Sequence, residues 1–341
     1  MPSNPTGTGP SSSPEQPRMR ALVLGARGAV GRETVAELKH QNHQTVSVGR
    51  GKENELQADI STATGRETLL AELHKGDVIV NASGREDIEL AELAVRAPFI
   101  EISATGRYLD ALEKAVSERT HESRPQHSLV LGAGIAPGLS TILLAALDSR
   151  PGDNLDLGVT LGSGEKHGAA AMEWTESLIG AAIYQPVEAP AKVLNFRESK
   201  KLPGLAGRSR THLRADFPDQ VILGAKNGTL IRSYLALSSA SMTTSLALLA
   251  RMPRLASLMN AVPPIGSEDW RIFAANRRTG ETIAAEGHGQ SHATGVLAAF
   301  AAERAFARSQ RDEATGTVTM ADLCTAEEAA SRLRATLQRT S

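Results

Sequence analysis

Three glycines near the N-terminus have a spacing that is typical of phosphate binding. Residues 25–31 have the sequence GARGAVG and directly follow the apolar run ALVL. A phosphate site needs accessible backbone N–H groups, close approach of the backbone and a helix N-terminus. A plain strand-to-helix turn is the alternative, but the alternating strands and helices that follow favour a dinucleotide site. Gly25 is expected to permit the turn, Gly28 to let a pyrophosphate approach and Gly31 to let the helix pack closely. The predicted cofactor contacts in this loop are Gly25, Ala26, Arg27, Gly28, Ala29, Val30 and Gly31.

The end of the second predicted strand indicates which nucleotide binds. NAD sites usually place Asp or Glu there to bind the ribose 2′-hydroxyl. Here the strand ends in VSVGR, so Arg50 occupies this corner, and the next carboxylate is that of Glu53. An arginine pairs with a 2′-phosphate, and Arg27 adds a second positive charge. We therefore predict NADP(H) rather than NAD(H), with two solvated loop arginines as the alternative.

Two further stretches are placed to contact the rest of the nucleotide. Asp59, in the sequence QADI, is a candidate for the adenine edge. Asn81, Ala82 and Ser83 follow the fourth predicted strand, where the loop of such a fold approaches the nicotinamide ribose. These assignments depend on the predicted topology.

Hydride transfer to an imine or carbonyl needs a nicotinamide and usually a proton donor with a pKa near neutrality. His167 follows a predicted strand of the second half in a glycine-rich loop, and Glu101 ends the fifth strand. His288 lies between glycines just before a late helix. These three residues are the predicted catalytic candidates. An exposed histidine and a turn histidine are the alternatives for His167 and His288.

A substrate carboxylate would need an arginine or a helix N-terminus. Arg85 and Arg107 follow the fourth and fifth predicted strands and are candidates for this role. Trp174 is a candidate for an apolar wall of the substrate site, or else an ordinary core tryptophan. Arg214 and Asp216 are expected to form a structural ion pair. The chain has no G-x-S-x-G sequence, so a serine hydrolase has no support.

The elements that position these residues alternate regularly. Six short apolar strands separated by helices, within residues 18–150, predict a Rossmann-type, doubly wound parallel sheet. A second α/β domain is predicted for 151–287, including a hairpin that turns near Thr279 and Gly280. Helices are predicted for 288–341, the first packing back on the Rossmann domain. Residues 1–17, rich in Pro, Ser and Gly, are predicted to be a disordered tail.

The composition of the chain argues against several classes of function. The chain has 341 residues, 41% hydrophobic and 22% charged, with a net charge of −1, so we predict no nucleic-acid or membrane partner. The single cysteine and the spacing of the nine histidines predict no metal site, and a cytoplasmic location fits this cysteine content. The uncharged stretch 128–147 is broken by glycines and Pro137, which favours a strand, loop and helix. The apolar segment 243–262 is a candidate interface of a homodimer, with core packing as the alternative.

Several stretches in order resemble the saccharopine dehydrogenase-like family of oxidoreductases. They are VLGARGAVGRETVAEL, GDVIVNASG, EISA, LGAGIAPGLSTILLAAL, ADFPDQ and GHGQSHATGVLAA, within residues 19–305. The resemblance implies a Rossmann domain, a second α/β domain and a reaction centre between them. It also implies oxidation or reduction of a carbon–nitrogen bond in an amino-acid-derived substrate. The catalytic lysine and histidine of the enzymes that make or cleave saccharopine have no match here, so that activity is not implied.

The sequence therefore supports two functions of different classes. The first is an NADP-dependent oxidoreductase acting on a small amino-acid- or keto-acid-like substrate at a C–N or C=O bond. The second is a non-catalytic NADP-binding sensor or scaffold, because no catalytic Lys or Tyr is evident. Turnover of a small molecule would distinguish them, since fold alone does not.

Overall fold

A computed structural model describes residues 18–120, 126–164, 169–252, 254, 266–311, 313 and 316–340, and the side chains of all of these except 169–173. The predicted tail at 1–17 and the candidate His167 lie outside the described residues.

The first half of the chain alternates between strands and helices. In order, these elements are β1 (Arg20–Leu24), α1 (Ala29–His40), β2 (Gln44–Gly49), β3 (Leu56–Gln57), α2 (Ala63–Ala71), β4 (Asp77–Asn81), α3 (Ala91–Ala94), β5 (Phe99–Glu101), α4 (Gly106–Arg119), β6 (Ser128–Leu131) and α5 (Leu139–Ala145).

The second half has longer strands. Its elements are β7 (Asn154–Leu161), α6 (Ala169–Leu178), β8 (Ser199–Pro203), β9 (Ser209–Arg214), α7 (Ala225–Asn227), β10 (Leu230–Leu237), α8 (Ala240–Leu249), β11 (Asp269–Asn276), β12 (Thr282–His288), α9 (Gln290–Gln310), β13 (Gly316–Thr319), α10 (Ala326–Leu333) and β14 (Thr336–Thr340). A π-helical turn, Gln220–Gly224, precedes α7.

The first sheet is fully parallel, in the order β13-β6-β5-β4-β1-β2-β3. Every residue of β4 and β6 is buried, as expected for strands covered by helices on both faces. The predicted doubly wound parallel sheet is thereby confirmed. Its carboxyl edge brings together the loops after β1, β2, β4 and β5.

The second sheet is mixed, in the order β14-β12-β11-β7-β10-β9-β8. Strands β7 and β10 pair in parallel, and the other pairings are antiparallel. The predicted hairpin is formed by β11 and β12, with Asp269 opposite His288. The predicted second α/β region is therefore present.

The C-terminal part connects the two sheets. Helix α9 packs along α1 so closely that a Cβ atom on Gly295 would lie 2.4 Å from Cβ of Glu33. Only helices were predicted here, but β13 completes the first sheet and β14 the second. Both strands are short and lie at sheet edges, where their pairing partners are distant in sequence. No helix in the described ranges is long and apolar enough to cross a membrane.

Candidate functional site

The loop between β1 and α1 is shaped by its first glycine. Gly25 has φ +72° and its N–H donates to the Val48 carbonyl at 3.0 Å. A Cβ atom there would lie 2.5 Å from Cα of Ser83 and 2.8 Å from the Ala82 oxygen. The loop after β4 therefore crosses directly over Gly25, and only glycine fits the close approach and the positive φ.

The other two glycines bring α1 close to this turn. The Gly28 N–H donates to the Gly25 carbonyl at 2.8 Å, and α1 begins at the next residue. A Cβ on Gly31 would lie 2.1 Å from the Gly25 oxygen, so the helix can pack here only without a side chain. The N-cap residue of α1, Gly28, has no side chain to cap the helix, and the first turn of α1 contains no acidic residue. The first turn thus presents backbone N–H groups and the positive end of the helix dipole for an anion.

The remaining loop residues differ in exposure. Ala26 is buried, Ala29 and Val30 are half-buried, and Arg27 is exposed. The Arg27 guanidinium lies 3.5 Å from a carboxylate oxygen of Glu53, and both side chains are exposed, which makes this a weak surface pair. Arg27 can therefore turn toward a bound phosphate at little cost.

A cavity of about 410 Å³ lies at the ends of β2 and β3. Arg50 and Asp59 both line it, and Asp59 is the one acidic residue among the described residues of this lining. The Ser61 side-chain and backbone donors, at 2.7 and 3.1 Å, hold the pKa of the Asp59 carboxyl below its usual range, with the positive charges of Arg50 and Arg85 acting in the same direction. The structure thus brings these two predicted cofactor residues together. The other lining residues are Gln57, Ala58, Thr62, Thr64, Gly65 and Thr68.

The loop after β4 is held by a chain of hydrogen bonds. Ser83 Oγ donates to Asn81 Oδ1 at 2.6 Å, and Asn81 Nδ2 donates to Glu101 Oε2 at 2.7 Å. The Ala82 N–H donates to the Leu24 carbonyl at 3.0 Å, which ties the loop to the end of β1. The three predicted ribose-contacting residues therefore form one fixed turn beside the glycine loop.

Glu101 is the buried centre of this network. Its side chain is 2% exposed and also accepts from Tyr108 Oη at 2.9 Å and from the Ser103 N–H at 2.9 Å. Burial raises the pKa of Glu101 to about 7. The hydrogen bonds from Asn81, Ser103 and Tyr108 act in the opposite direction and lower this pKa. The sequence did not indicate Tyr108, because the side of α4 that faces β5 is decided by packing.

The three predicted substrate-binding residues, Arg85, Arg107 and Trp174, each make a different kind of contact. Arg85 is exposed and lies 3.6 Å from Asp87. The Arg107 guanidinium lies over the ring of Tyr184, 4.8 Å from its centroid, and so joins α4 to the second half of the chain. The Trp174 and Phe217 rings are 5.4 Å apart, and Trp174 packs against the core.

The second half contributes two carboxyl groups near this junction. The Tyr184 N–H donates to Asp216 at 2.9 Å, and burial raises the pKa of Asp216 to about 6, with the charges of Arg214 and Arg107 opposing. The expected ion pair of Arg214 with Asp216 is not formed; Arg214 lies 3.5 Å from Glu188 instead. Arg214 also donates to two backbone carbonyls, which fixes it away from Asp216.

Asp219 was not singled out from the sequence, although it lies in the ADFPDQ stretch. It is fully buried, and its Oδ1 accepts from Ser140 Oγ at 2.7 Å, across the junction between the π-helical turn and α5. Its Oδ2 has no partner in the described part of the chain. Burial raises the pKa of Asp219 to about 7.

His288 lies at the end of β12, immediately before α9. Its Nε2 is 3.2 Å from Glu268 and its Nδ1 3.0 Å from Asp269, and the side chain is 68% exposed. Together with His167, it stays a predicted proton donor. Among the described residues, no group of three or more His, Cys, Asp or Glu side chains is arranged to hold a metal ion.

One comparison with a solved structure supports the fold. No protein-family model and no curated protein matches the chain. Apo histidine-tagged saccharopine dehydrogenase (L-Glu forming) from Saccharomyces cerevisiae is similar over 94% of this chain and 100% of that chain, with 9% identity and a TM-score of 0.54. A probable aspartate-semialdehyde dehydrogenase from Pseudomonas aeruginosa matches 76% of this chain and 75% of its own, with 15% identity and a TM-score of 0.33. A 3-alpha-hydroxysteroid dehydrogenase from Pseudomonas sp. B-0831, complexed with NADH, matches 37% of this chain and 54% of its own, with 19% identity and a TM-score of 0.20.

The first of these comparisons confirms the predicted resemblance to saccharopine dehydrogenase at the level of the fold. At 9% identity it carries the architecture alone.

Proposed function

We propose that this protein is an NADP-dependent oxidoreductase that acts on a small amino-acid- or keto-acid-like substrate at a C–N or C=O bond. The observation that carries the proposal is the N-terminus of α1, which has glycine as its N-cap and packs against the Gly25 turn at the carboxyl edge of a parallel sheet. The shared fold with a saccharopine dehydrogenase supports it.

The residues around this edge fit NADP. The N–H groups of the first turn of α1 would hold the pyrophosphate, and Arg50 would pair with the 2′-phosphate at the cavity that it shares with Asp59. Asp59 would accept from the adenine amino group, and the turn at Asn81–Ser83 would contact the nicotinamide ribose. When bound, the nicotinamide would supply or accept a hydride.

The chain's own side chains would orient the reactants and handle the proton. Glu101 is 2% exposed, so we assign it to the positioning of Asn81 and Ser103 rather than to contact with the substrate. His288 or His167 would exchange the proton with the substrate. Arg85 and Arg107 would bind a substrate carboxylate, and Trp174 would supply an apolar wall.

A titration with both reduced nucleotides tests the cofactor. We expect the nicotinamide fluorescence of NADPH to change at lower concentrations than that of NADH. Arg50→Ala should weaken NADPH binding by about 10- to 100-fold, the loss expected for a hydrogen-bonded charge pair, and leave NADH nearly unchanged. Lys75→Ala is the matched control, because Lys75 is exposed near the start of β4, at the opposite edge of the sheet. Equal losses for both nucleotides would contradict the 2′-phosphate assignment.

Turnover distinguishes the oxidoreductase from an NADP-binding sensor. We expect loss of the reduced-nicotinamide absorbance when NADPH and the chain are mixed with a panel of keto acids, with and without amines. Tight NADPH binding with no turnover in either direction across the panel would favour the sensor.

A further inference from the structure

A second cavity lies away from the nucleotide site, at the edge of the second sheet. Its volume is about 410 Å³, and it lies between the β8–β9 hairpin and α8. Ser199 pairs with Leu213 across this hairpin, and Lys201 with Thr211. Because side chains alternate along a strand, Ser209, Thr211 and Leu213 share one face. The lining residues are Phe196, Arg197, Ser199, Ser209, Arg210, Thr211, Leu213, Ala240, Thr243, Thr244, Ala247 and Arg251.

The charged side chains that line this cavity are all positive. Among the described residues that line it, Arg197 and Arg251 are cationic and none is acidic. Arg197 and Arg251 form no ion pair within the ranges that the structure describes. The Arg210 side chain lies on the other face of β9, opposite Leu202. Arg251 donates to the Ala247 carbonyl of its own helix at 2.8 Å. The cavity is therefore electropositive.

Four cations in or next to the same sheet form ion pairs. Glu188 pairs with both Arg214 and Arg232, and Asp156 with both Lys200 and Arg277. A cluster of arginines without carboxylates at one cavity thus differs from its surroundings.

The lining combines three kinds of contact. Guanidinium groups bind carboxylates and phosphates through paired N–H donors. The Ser199, Ser209 and Thr211 hydroxyls can donate to further oxygens. Ala240, which is exposed, and Ala247, which is half-buried, supply apolar surface.

We propose that this cavity binds a small molecule with a carboxylate or phosphate group and a short apolar part. Arg197 and Arg251 hold the oxyanion, and Ala240 and Ala247 contact the apolar part. The site shares no lining residue with the nucleotide cavity. The proposal therefore does not depend on the proposed oxidoreductase activity.

Calorimetric titration of the full chain, without nucleotide, tests this site. Succinate and inorganic phosphate serve as separate probes at low salt. We expect at least one probe to bind, and Arg197→Ala and Arg251→Ala each to weaken its binding by about tenfold, the loss expected for a hydrogen bond to a charged group. Arg208→Ala is the matched control, because Arg208 is exposed in the same hairpin and does not line the cavity. It should change the affinity less than about twofold.

The outcomes separate the ligand classes. Binding of succinate alone identifies a carboxylate site, binding of phosphate alone a phosphate site, and binding of both a general oxyanion site. Binding of neither probe, or an equal loss in Arg208→Ala and Arg251→Ala, overturns the proposal. Circular dichroism checks folding. If Arg251→Ala is unfolded, Arg251→Lys tests the site, because it keeps the charge but not the two parallel N–H donors.

Discussion

At the scale of single residues, the spacing of the glycines in residues 25–31 correctly predicted positions where only glycine fits. The predicted turn at Gly25 and the close helix packing at Gly31 both follow from positions where a Cβ atom would lie within 3 Å of backbone. Spacing revealed less about where side chains point. Glu101 was predicted as a catalytic candidate, and the structure places it 2% exposed and hydrogen-bonded to Tyr108, because strand β5 is covered on both faces. Such partners depend on helix rotation, which a single sequence does not specify.

The two helix-proximal glycines should respond differently to alanine. Gly31→Ala should lower the free energy of unfolding by about 1–3 kcal/mol, because its Cβ would lie 2.1 Å from the Gly25 oxygen and α1 would have to shift. Gly28→Ala, whose φ is −70° and whose Cβ would lie 3.2 Å from the same oxygen, should keep most of the stability. It should still weaken NADPH binding, because the methyl group would occupy the space of the pyrophosphate. Urea unfolding and NADPH titration measure both effects, and equal stability losses would contradict this account.

At the scale of elements, the predicted strands of the first half are present, and they pair with one another within the alternating strands and helices of residues 18–150. Short apolar runs such as VIV at the centre of β4 predicted strands correctly. The strands β13 and β14 were missed, because their partners β6 and β12 are far away in sequence. Helix α9 was also predicted. Its close packing against α1 depends on Gly295, which lies in an otherwise alanine-rich helix.

The crossing of α9 over α1 should couple the C-terminal part to the nucleotide loop. An alanine Cβ at Gly295 would lie 2.4 Å from Cβ of Glu33 and 2.8 Å from the backbone nitrogen of Thr34. Gly295→Ala should therefore lower the free energy of unfolding by about 1–3 kcal/mol, although alanine favours a helix over glycine by about 1 kcal/mol. It should also weaken NADPH binding several-fold, because the N-terminus of α1 moves.

His292→Ala provides the control for this crossing. His292 bonds to Glu33 at 2.8 Å from the same helix, but its side chain is 62% exposed. This variant should lose less than about 1 kcal/mol and bind NADPH normally. A stable Gly295→Ala protein with unchanged affinity would show that α1 tolerates the added methyl group.

At the scale of the whole molecule, the contacts that join the two sheets were beyond prediction. The sequence stretches GAGIAPGLS and ADFPDQ were both noted, but their meeting through Ser140 and Asp219 was not. Nor was the approach of Arg107 to Tyr184. Each contact joins residues more than 70 positions apart, and it is fixed only when both sheets have formed. The result is a junction with a buried carboxyl group, one oxygen of which has no hydrogen-bond partner among the residues that the structure describes.

This junction should make stability depend on pH. Burial raises the pKa of Asp219 from 3.8 to about 7, so between these values the folded chain keeps a proton that the unfolded chain has lost. Stability therefore falls as the pH rises through this window, and Glu101, raised from 4.5 to about 7, acts in the same direction. Each pKa unit corresponds to about 1.4 kcal/mol. The contribution of Asp219 is roughly 4 kcal/mol over the full window.

Asp219→Asn isolates this effect, because asparagine keeps an oxygen that accepts from Ser140 but does not ionise. The free energy of unfolding of the variant, relative to the wild type, should rise steadily between pH 5 and about pH 7. Asp148→Asn, at an acid whose side chain is 82% exposed, should follow the wild-type pH profile. Urea unfolding at closely spaced pH values measures all three curves. A difference between Asp219→Asn and the wild type that stays constant over this range would show that the Asp219 carboxyl does not hold its proton in the folded chain.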